Sequence, residues 1–258
     1  MAGLATTLTN EQLAEMMALI KGADSVELKL TVPDHAQRSA LTALDVDPLE
    51  AQIRQVVFFD TPDLDLDKAG VVVRARRSQG AEDDTVVKLR PVVPSELAEE
   101  LRMSSSFGVE VDAMPGGFVC SGSMKGKVRA GDVRAVLRGE KESRKLFNKD
   151  QRALYEQHAP AGIKLEDLRT LGPIFVLKLK FTPEGAPRRL VAEVWLYPDG
   201  SRILELSTKC LPSEAFQVAA ECRVFLTERG IELAGAQQTK TRTALEFFAS
   251  ELQGTAED

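Results

Sequence analysis

Charged and apolar residues alternate at every second position in several short runs of this chain. Val26-Glu27-Leu28-Lys29-Leu30, Val73-Arg74-Ala75-Arg76, Val87-Lys88-Leu89-Arg90, Gly108-Val109-Glu110-Val111-Asp112 and Val176-Leu177-Lys178-Leu179-Lys180 all have this form. Successive side chains of a strand point to opposite faces, so each run places its charges on one face and its apolar residues on the other. The pattern predicts strands near residues 25–32, 53–60, 70–78, 84–90, 106–113, 173–181, 189–197 and 201–208, with Pro198-Asp199-Gly200-Ser201 turning the last pair into a hairpin. Apolar spacing predicts helices from Asn10 (Thr9 as cap), over 33–44, 142–158 and 212–229 (Gly230 as stop), and from Thr241 to Leu252. Residues 114–126, rich in Gly, Ser and Met, read as a loop.

About eight strands joined by mostly short links, without a βαβ rhythm, argue for an antiparallel sheet. Its polar face either meets solvent or closes inward, and a barrel of about eight strands has room for one small ligand. The in-phase positions favour Arg and Lys over the mixed polar residues of a solvated face. A cavity lined this way attracts polyanions.

The net charge of −6 and pI near 5.2 argue against general nucleic-acid binding, so basic strands must be offset by acidic surface elsewhere. No apolar run approaches the about 18 residues of a membrane span, and Met1 to Ile20 lacks the layout of a secretory signal. Cys120, Cys210 and Cys222 are widely spaced, fit a reducing cytoplasm, and read as small core residues. With only His35 and His158 present, histidine-based chemistry is not expected.

Four segments carry a resemblance. Val57-Phe58-Phe59-Asp60-Thr61-Pro62-Asp63-Leu64-Asp65-Leu66, continuing through Gly70 to Arg74 and Arg76, resembles the "YFDTPDLxLxxxGxxLRxR" signature of the CYTH family of triphosphate tunnel metalloenzymes. Lys88-Leu89-Arg90-Pro91, the Glu193/Glu205 hairpin and the C-terminal Lys240-Thr241-Arg242 resemble its later segments, in order. The resemblance implies a mainly antiparallel α+β fold, an eight-stranded closed β-barrel or tunnel with helices packed outside. On this reading residues 1–22 form a helical extension, and residues 23–252 form the tunnel domain with a helical insertion at about 125–171. No appended CHAD domain is expected.

The family's activity implies a triphosphate, inorganic or nucleoside, hydrolysed with Mg²⁺ or Mn²⁺. A triphosphate presents closely spaced negative charges, which Arg grips bidentately and Lys as a point charge. The candidate cations are Lys29, Arg74, Arg76, Lys88, Arg90, Lys178, Lys180, Lys240 and Arg242, with Glu27 and Lys29 as catalytic candidates. Glu27, Glu110, Glu193 and Glu205 are the metal candidates, since hard ions prefer oxygen ligands, and Asp112 is a further partner for the cations. Two departures stand out: the family's ExExK reads Ser25, Glu27 and Lys29 here, and its Glu-x-Glu reads Glu205 and Ser207. A serine brings no charge to a metal, so a tunnel that binds without turnover is an alternative to a triphosphatase, and an adenylyl cyclase is a third. Arg77 falls on the opposite face from Arg76. Asp60, Thr61 and Gly70 read as backbone-shaping residues, Trp195 either as a stacking surface for a ligand base or as a rim residue, and Arg134, Arg138 and Arg144 as helix surface.

Overall fold

The computed structural model describes residues 9–115, 117–232 and 240–254. Its centre is a closed barrel of nine strands: β1 (Ser25–Val32), β2 (Gln52–Asp60), β3 (Val71–Ser78), β4 (Asp83–Leu89), β5 (Phe107–Met114), β6 (Gly117–Val128), β7 (Arg169–Phe181), β8 (Leu190–Leu196) and β9 (Arg202–Cys210). Around the barrel the order is β1-β5-β6-β4-β3-β2-β7-β8-β9, and β9 closes antiparallel onto β1. The α-helices are α1 (Asn10–Gly22), α2 (Gln37–Ala43), α3 (Asp65–Lys68), α4 (Glu99–Arg102), α5 (Asp132–Leu137), α6 (Lys149–His158), α7 (Ala215–Glu228) and α8 (Lys240–Gly254).

The fold class is therefore the expected α+β barrel, with two corrections. The ninth strand, β6, runs through the stretch expected to be a loop. Its Gly, Ser and Met residues are poor strand formers, but it is paired on both sides, with β4 and with β5, and these ladders override its composition. The sheet is also mixed, because β1 pairs parallel with β5 and sets Ser25 opposite Glu110 and Glu27 opposite Asp112. The segment 125–171 begins inside β6 and ends inside β7, with α5 and α6 between.

Alternation divides the barrel as anticipated. Outward residues Val57, Phe59, Val73, Val87 and Val111 pack under α1, α5 and α6, and Leu179, Ala192, Leu204 and Leu206 pack under α2 and α7. Gln151 anchors α6: its amide donates to the carbonyls of Thr85 and Met124 at 3.2 Å each, while Asn148 caps the helix. The C-terminal helix packs at the barrel mouth. Ala244, Leu245 and Phe248 of α8 pack against Val56, Phe58, Val176, Trp195 and Ile203, all inward by register, so α8 closes one end of the barrel with apolar side chains. Each such large side chain contributes about 1.5–3 kcal/mol by burial.

The signature around Asp60 serves the backbone. Asp60 is 1% exposed and accepts hydrogen bonds from the amides of Thr61, Leu66 and Asp67, which fixes the turn into α3. Gly70 has φ +73°, and a Cβ there would lie 2.5 Å from the Arg90 carbonyl oxygen. Only glycine permits that approach, and the Arg90 amide in turn donates to the Gly70 carbonyl at 2.8 Å.

Candidate functional site: a charged tunnel with an acidic cluster

The barrel encloses a cavity of about 930 Å³ whose lining includes Glu27, Lys29, Arg74, Arg76, Lys88, Arg90, Glu110, Asp112, Lys178, Glu193, Glu205 and Lys240. Its charges fall into three groups.

The first is centred on the parallel β1–β5 pair. Carboxylate oxygens of Glu27, Glu110 and Asp112 lie within 4.8 Å of one another. Lys29 reaches into this cluster, with Nζ 2.8 Å from Asp112 Oδ1 and 3.1 Å from Glu27 Oε2. Arg90 stands 3.2 Å and Lys88 4.0 Å from Asp112 Oδ2. Asp112 is fully buried, and among the described residues neither of its oxygens receives a well-directed hydrogen bond, so charge alone offsets its desolvation. Burial raises its pKa, but Lys29, Lys88 and Arg90 reverse that and hold it below the usual carboxylate range. Burial likewise lowers Lys29, and the carboxylates of Asp112, Glu27 and Glu205 more than reverse it, so its pKa ends raised. Glu110 also pairs with Lys209. Ser25 and Ser207 both point here: Ser207 Oγ donates to Glu27 Oε1 at 3.2 Å and Ser25 Oγ to Glu110 Oε2 at 3.4 Å.

The second group joins β7, β8, β9 and α8. Glu193 accepts from Lys178 at 2.7 Å and from Lys240 at 2.6 Å, and Lys240 also meets Glu205 at 2.6 Å. Burial raises Glu193, but the two ammonium groups hold it well below the ordinary carboxylate value. Lys240 is placed by the first turn of α8, which Tyr197 pins by donating from its hydroxyl to the Lys240 carbonyl at 3.1 Å. Lys240 Nζ also lies 5.2 Å over the Trp195 ring. Trp195 is 4% exposed and lines the cavity beneath Lys240.

The third group is cationic. Arg76 pairs with Asp84 at 2.6 Å, whereas Arg74 beside it has no carboxylate within ion-pair distance among the described residues. Arg54, inward on β2, donates to Gln52 at 2.8 Å. Burial first, then the neighbouring Arg76, lowers the pKa of both Arg54 and Arg74. Lys88 is lowered to about 8, by burial and then by Lys29 and Arg90 against the pull of Asp112. Arg74 thus has no carboxylate within ion-pair distance among the described residues, and Lys88 only the long 4.0 Å contact with Asp112, so both are disposed to take an external anion.

Of the residues named from sequence, Glu27, Glu110, Lys29, Lys88 and Arg90 meet in the first group. Glu193, Glu205, Lys178 and Lys240 meet in the second, and Arg74 and Arg76 in the third. Arg242 stands at the rim and pairs with Glu246 on its own helix, and Lys180, in phase with Lys178, is exposed at the end of β7 outside the lining. Sequence reasoning did not single out Arg54 or Asp84, which sit in polar runs without clean alternation, and counted Asp112 only as a partner for cations. Its alternation with Glu110 was the signal that it shares the inward face. The three cysteines are buried and unpaired, as expected of core residues. No helix among the described residues is long and apolar enough to cross a membrane.

No family model matches the sequence, and no curated protein aligns with it significantly. Solved structures share the fold. HpAC1 from Hippeastrum, a candidate adenylyl cyclase with a dominant triphosphatase activity, superposes with a TM-score of 0.62 at 18% identity over 84% of this chain and 93% of its own. A candidate adenylate cyclase from Bacillus halodurans superposes at 0.57 and 14% identity, over 85% of this chain and 97% of its own. The chain thus shares the fold of these two structures.

Proposed function

We propose that this protein is a CYTH-type tunnel protein that binds a triphosphate and hydrolyses it with a divalent metal. The observation that carries the reading is the juxtaposition, in one cavity, of three carboxylates within 4.8 Å of one another and two buried cations: Arg74, with no carboxylate within ion-pair distance among the described residues, and Lys88, whose contact with Asp112 is 4.0 Å. Carboxylate oxygens suit Mg²⁺ or Mn²⁺, and the buried, hydrogen-bond-poor Asp112 is the donor an ion would best satisfy. Glu27, Glu110 and Asp112 would hold the ion, while Glu193 and Glu205 tie down Lys178 and Lys240. Once bound, a divalent ion supplies charge neutralisation and polarisation at a phosphoryl oxygen. The protein's own work is to grip phosphate oxygens through Arg74, Arg76, Lys88 and Arg90 and to hold the chain in line away from bulk water.

That the Hippeastrum neighbour has triphosphatase activity supports hydrolysis over cyclisation. A binding module without turnover is the second reading. It is favoured by Ser25 and Ser207, whose hydroxyls orient Glu110 and Glu27 instead of adding carboxylates. The test is product analysis with tripolyphosphate and with ATP, each with Mg²⁺, Mn²⁺ or chelator, beside Glu27→Gln. Metal-dependent phosphate release that the variant loses supports the triphosphatase. Binding without release supports the module, and cyclic AMP with pyrophosphate the cyclase.

A further inference from the structure

The acidic cluster already contains a cation. Lys29 Nζ contacts Asp112 at 2.8 Å and Glu27 at 3.1 Å, two of the three carboxylates, and its side chain is only 15% exposed. It enters from the cavity side, because it follows Glu27 by two residues on the inward face of β1. A divalent ion bridging Glu27 and Asp112 would need the same oxygens and would face an ammonium a few ångströms away.

We propose that Lys29 is a resident counter-ion occupying the cation position of the cluster, so that a divalent ion binds together with the triphosphate rather than ahead of it. The anion is the trigger. Its oxygens can accept Lys29, whose long, rotatable stem lets the ammonium swing from carboxylate to phosphate. The carboxylates are then free to hold the ion that the phosphate brings. Lys29 and Arg90 supply the counter-charge that a buried Asp112 requires. This inference rests on the triphosphate reading for the anion's identity, but the claim about the cluster can be tested alone.

The experiment is titration of the full chain with Mn²⁺, without phosphate, followed by electron paramagnetic resonance of the free ion. Lys29→Met is expected to bind Mn²⁺ about a hundredfold more tightly than the unchanged protein, a conservative scale for removing one ammonium about 4 Å away at an effective dielectric near 20. Lys29→Arg, which keeps the charge, should remain weak, and adding Asp112→Asn to Lys29→Met should abolish the gain. Equal Mn²⁺ affinity in folded Lys29→Met and the unchanged protein overturns the proposal. If Lys29→Met unfolds, Mn²⁺ should restore its folded signal; failure to do so also overturns it. Calorimetry of tripolyphosphate binding in chelator is the separate arm: no binding there sinks the triphosphate reading and leaves the Mn²⁺ result standing.

Discussion

Asp112→Asn is the sharpest probe of how this cavity balances its charge. The change keeps the side chain's shape and removes one negative charge from a fully buried position. Asp112 meets Lys29 at 2.8 Å and Arg90 at 3.2 Å. At an effective dielectric near 20 these pairs amount to about 6 and about 5 kcal/mol of attraction before desolvation. Desolvation has already been incurred by all three groups, so removing Asp112 leaves Arg90 without its partner and Lys29 with Glu27 alone, at a net cost of about 3–5 kcal/mol. For a chain of this size each kcal/mol moves the thermal midpoint by about 2–4 °C, so the variant should melt about 6–20 °C lower at pH 7. Tripolyphosphate should raise the variant's midpoint more than the parent's, because the cavity has gained net positive charge. The pH dependence has a defined sign. The folded-state pKa of Asp112 is lowered, so its contribution is present above the unfolded carboxylate value and is lost as pH falls through the folded one. The acid limb of stability should therefore be flatter in the variant. Circular dichroism melts from pH 3 to 8, with and without tripolyphosphate, supply the assay. A midpoint within about 2 °C of the parent, unmoved by the anion, would refute the claim that Asp112 is the electrostatic keystone.

Arg74→Glu should weaken tripolyphosphate binding by at least about tenfold in calorimetry, and Arg77→Glu should change it far less; equal losses would undo the assignment of faces. Lys88 is charged below about pH 8, so tripolyphosphate affinity should fall as pH rises through that value, and Lys88→Arg should hold affinity to higher pH. Because its folded pKa lies below the unfolded one, the ligand-free protein should gain stability between about pH 8 and the unfolded lysine value, where the unfolded state binds the extra proton. Phe248→Ala, at the apolar end of the tunnel, should cost about 3–5 kcal/mol in denaturant unfolding, and a cost below about 1 kcal/mol would show that α8 does not seal that end.

Alternation alone located most of the barrel, because strands with one apolar face and one charged face announce their register. It failed at β6, where Gly117, Ser121, Gly122 and Ser123 carry little strand signal and pairing on both sides decides the structure. It also left α8 indistinguishable from an outer helix. The apolar stripe of Ala244, Leu245 and Phe248 fits a barrel mouth as well as a barrel wall, and only the inward Val56, Phe58 and Trp195 beneath it settle the matter.

The departures at Ser25 and Ser207 show why a motif compared position by position misjudges a site built across strands. Read along the chain, both acidic pairs are halved. Read across the sheet, the parallel pairing sets Glu110 beside Ser25 and Asp112 beside Glu27, so β5 returns two carboxylates to the place where β1 lacks one. The serines are then short donors that orient Glu27 and Glu110. Parallel pairing of β1 with β5 is a long-range event that no local pattern encodes, and the acidic cluster depends on it. Mutating Ser25 should therefore disturb the site through the orientation of Glu110, not through loss of a ligand, and Ser25→Ala should be a milder change than Glu110→Gln in both Mn²⁺ and tripolyphosphate titrations.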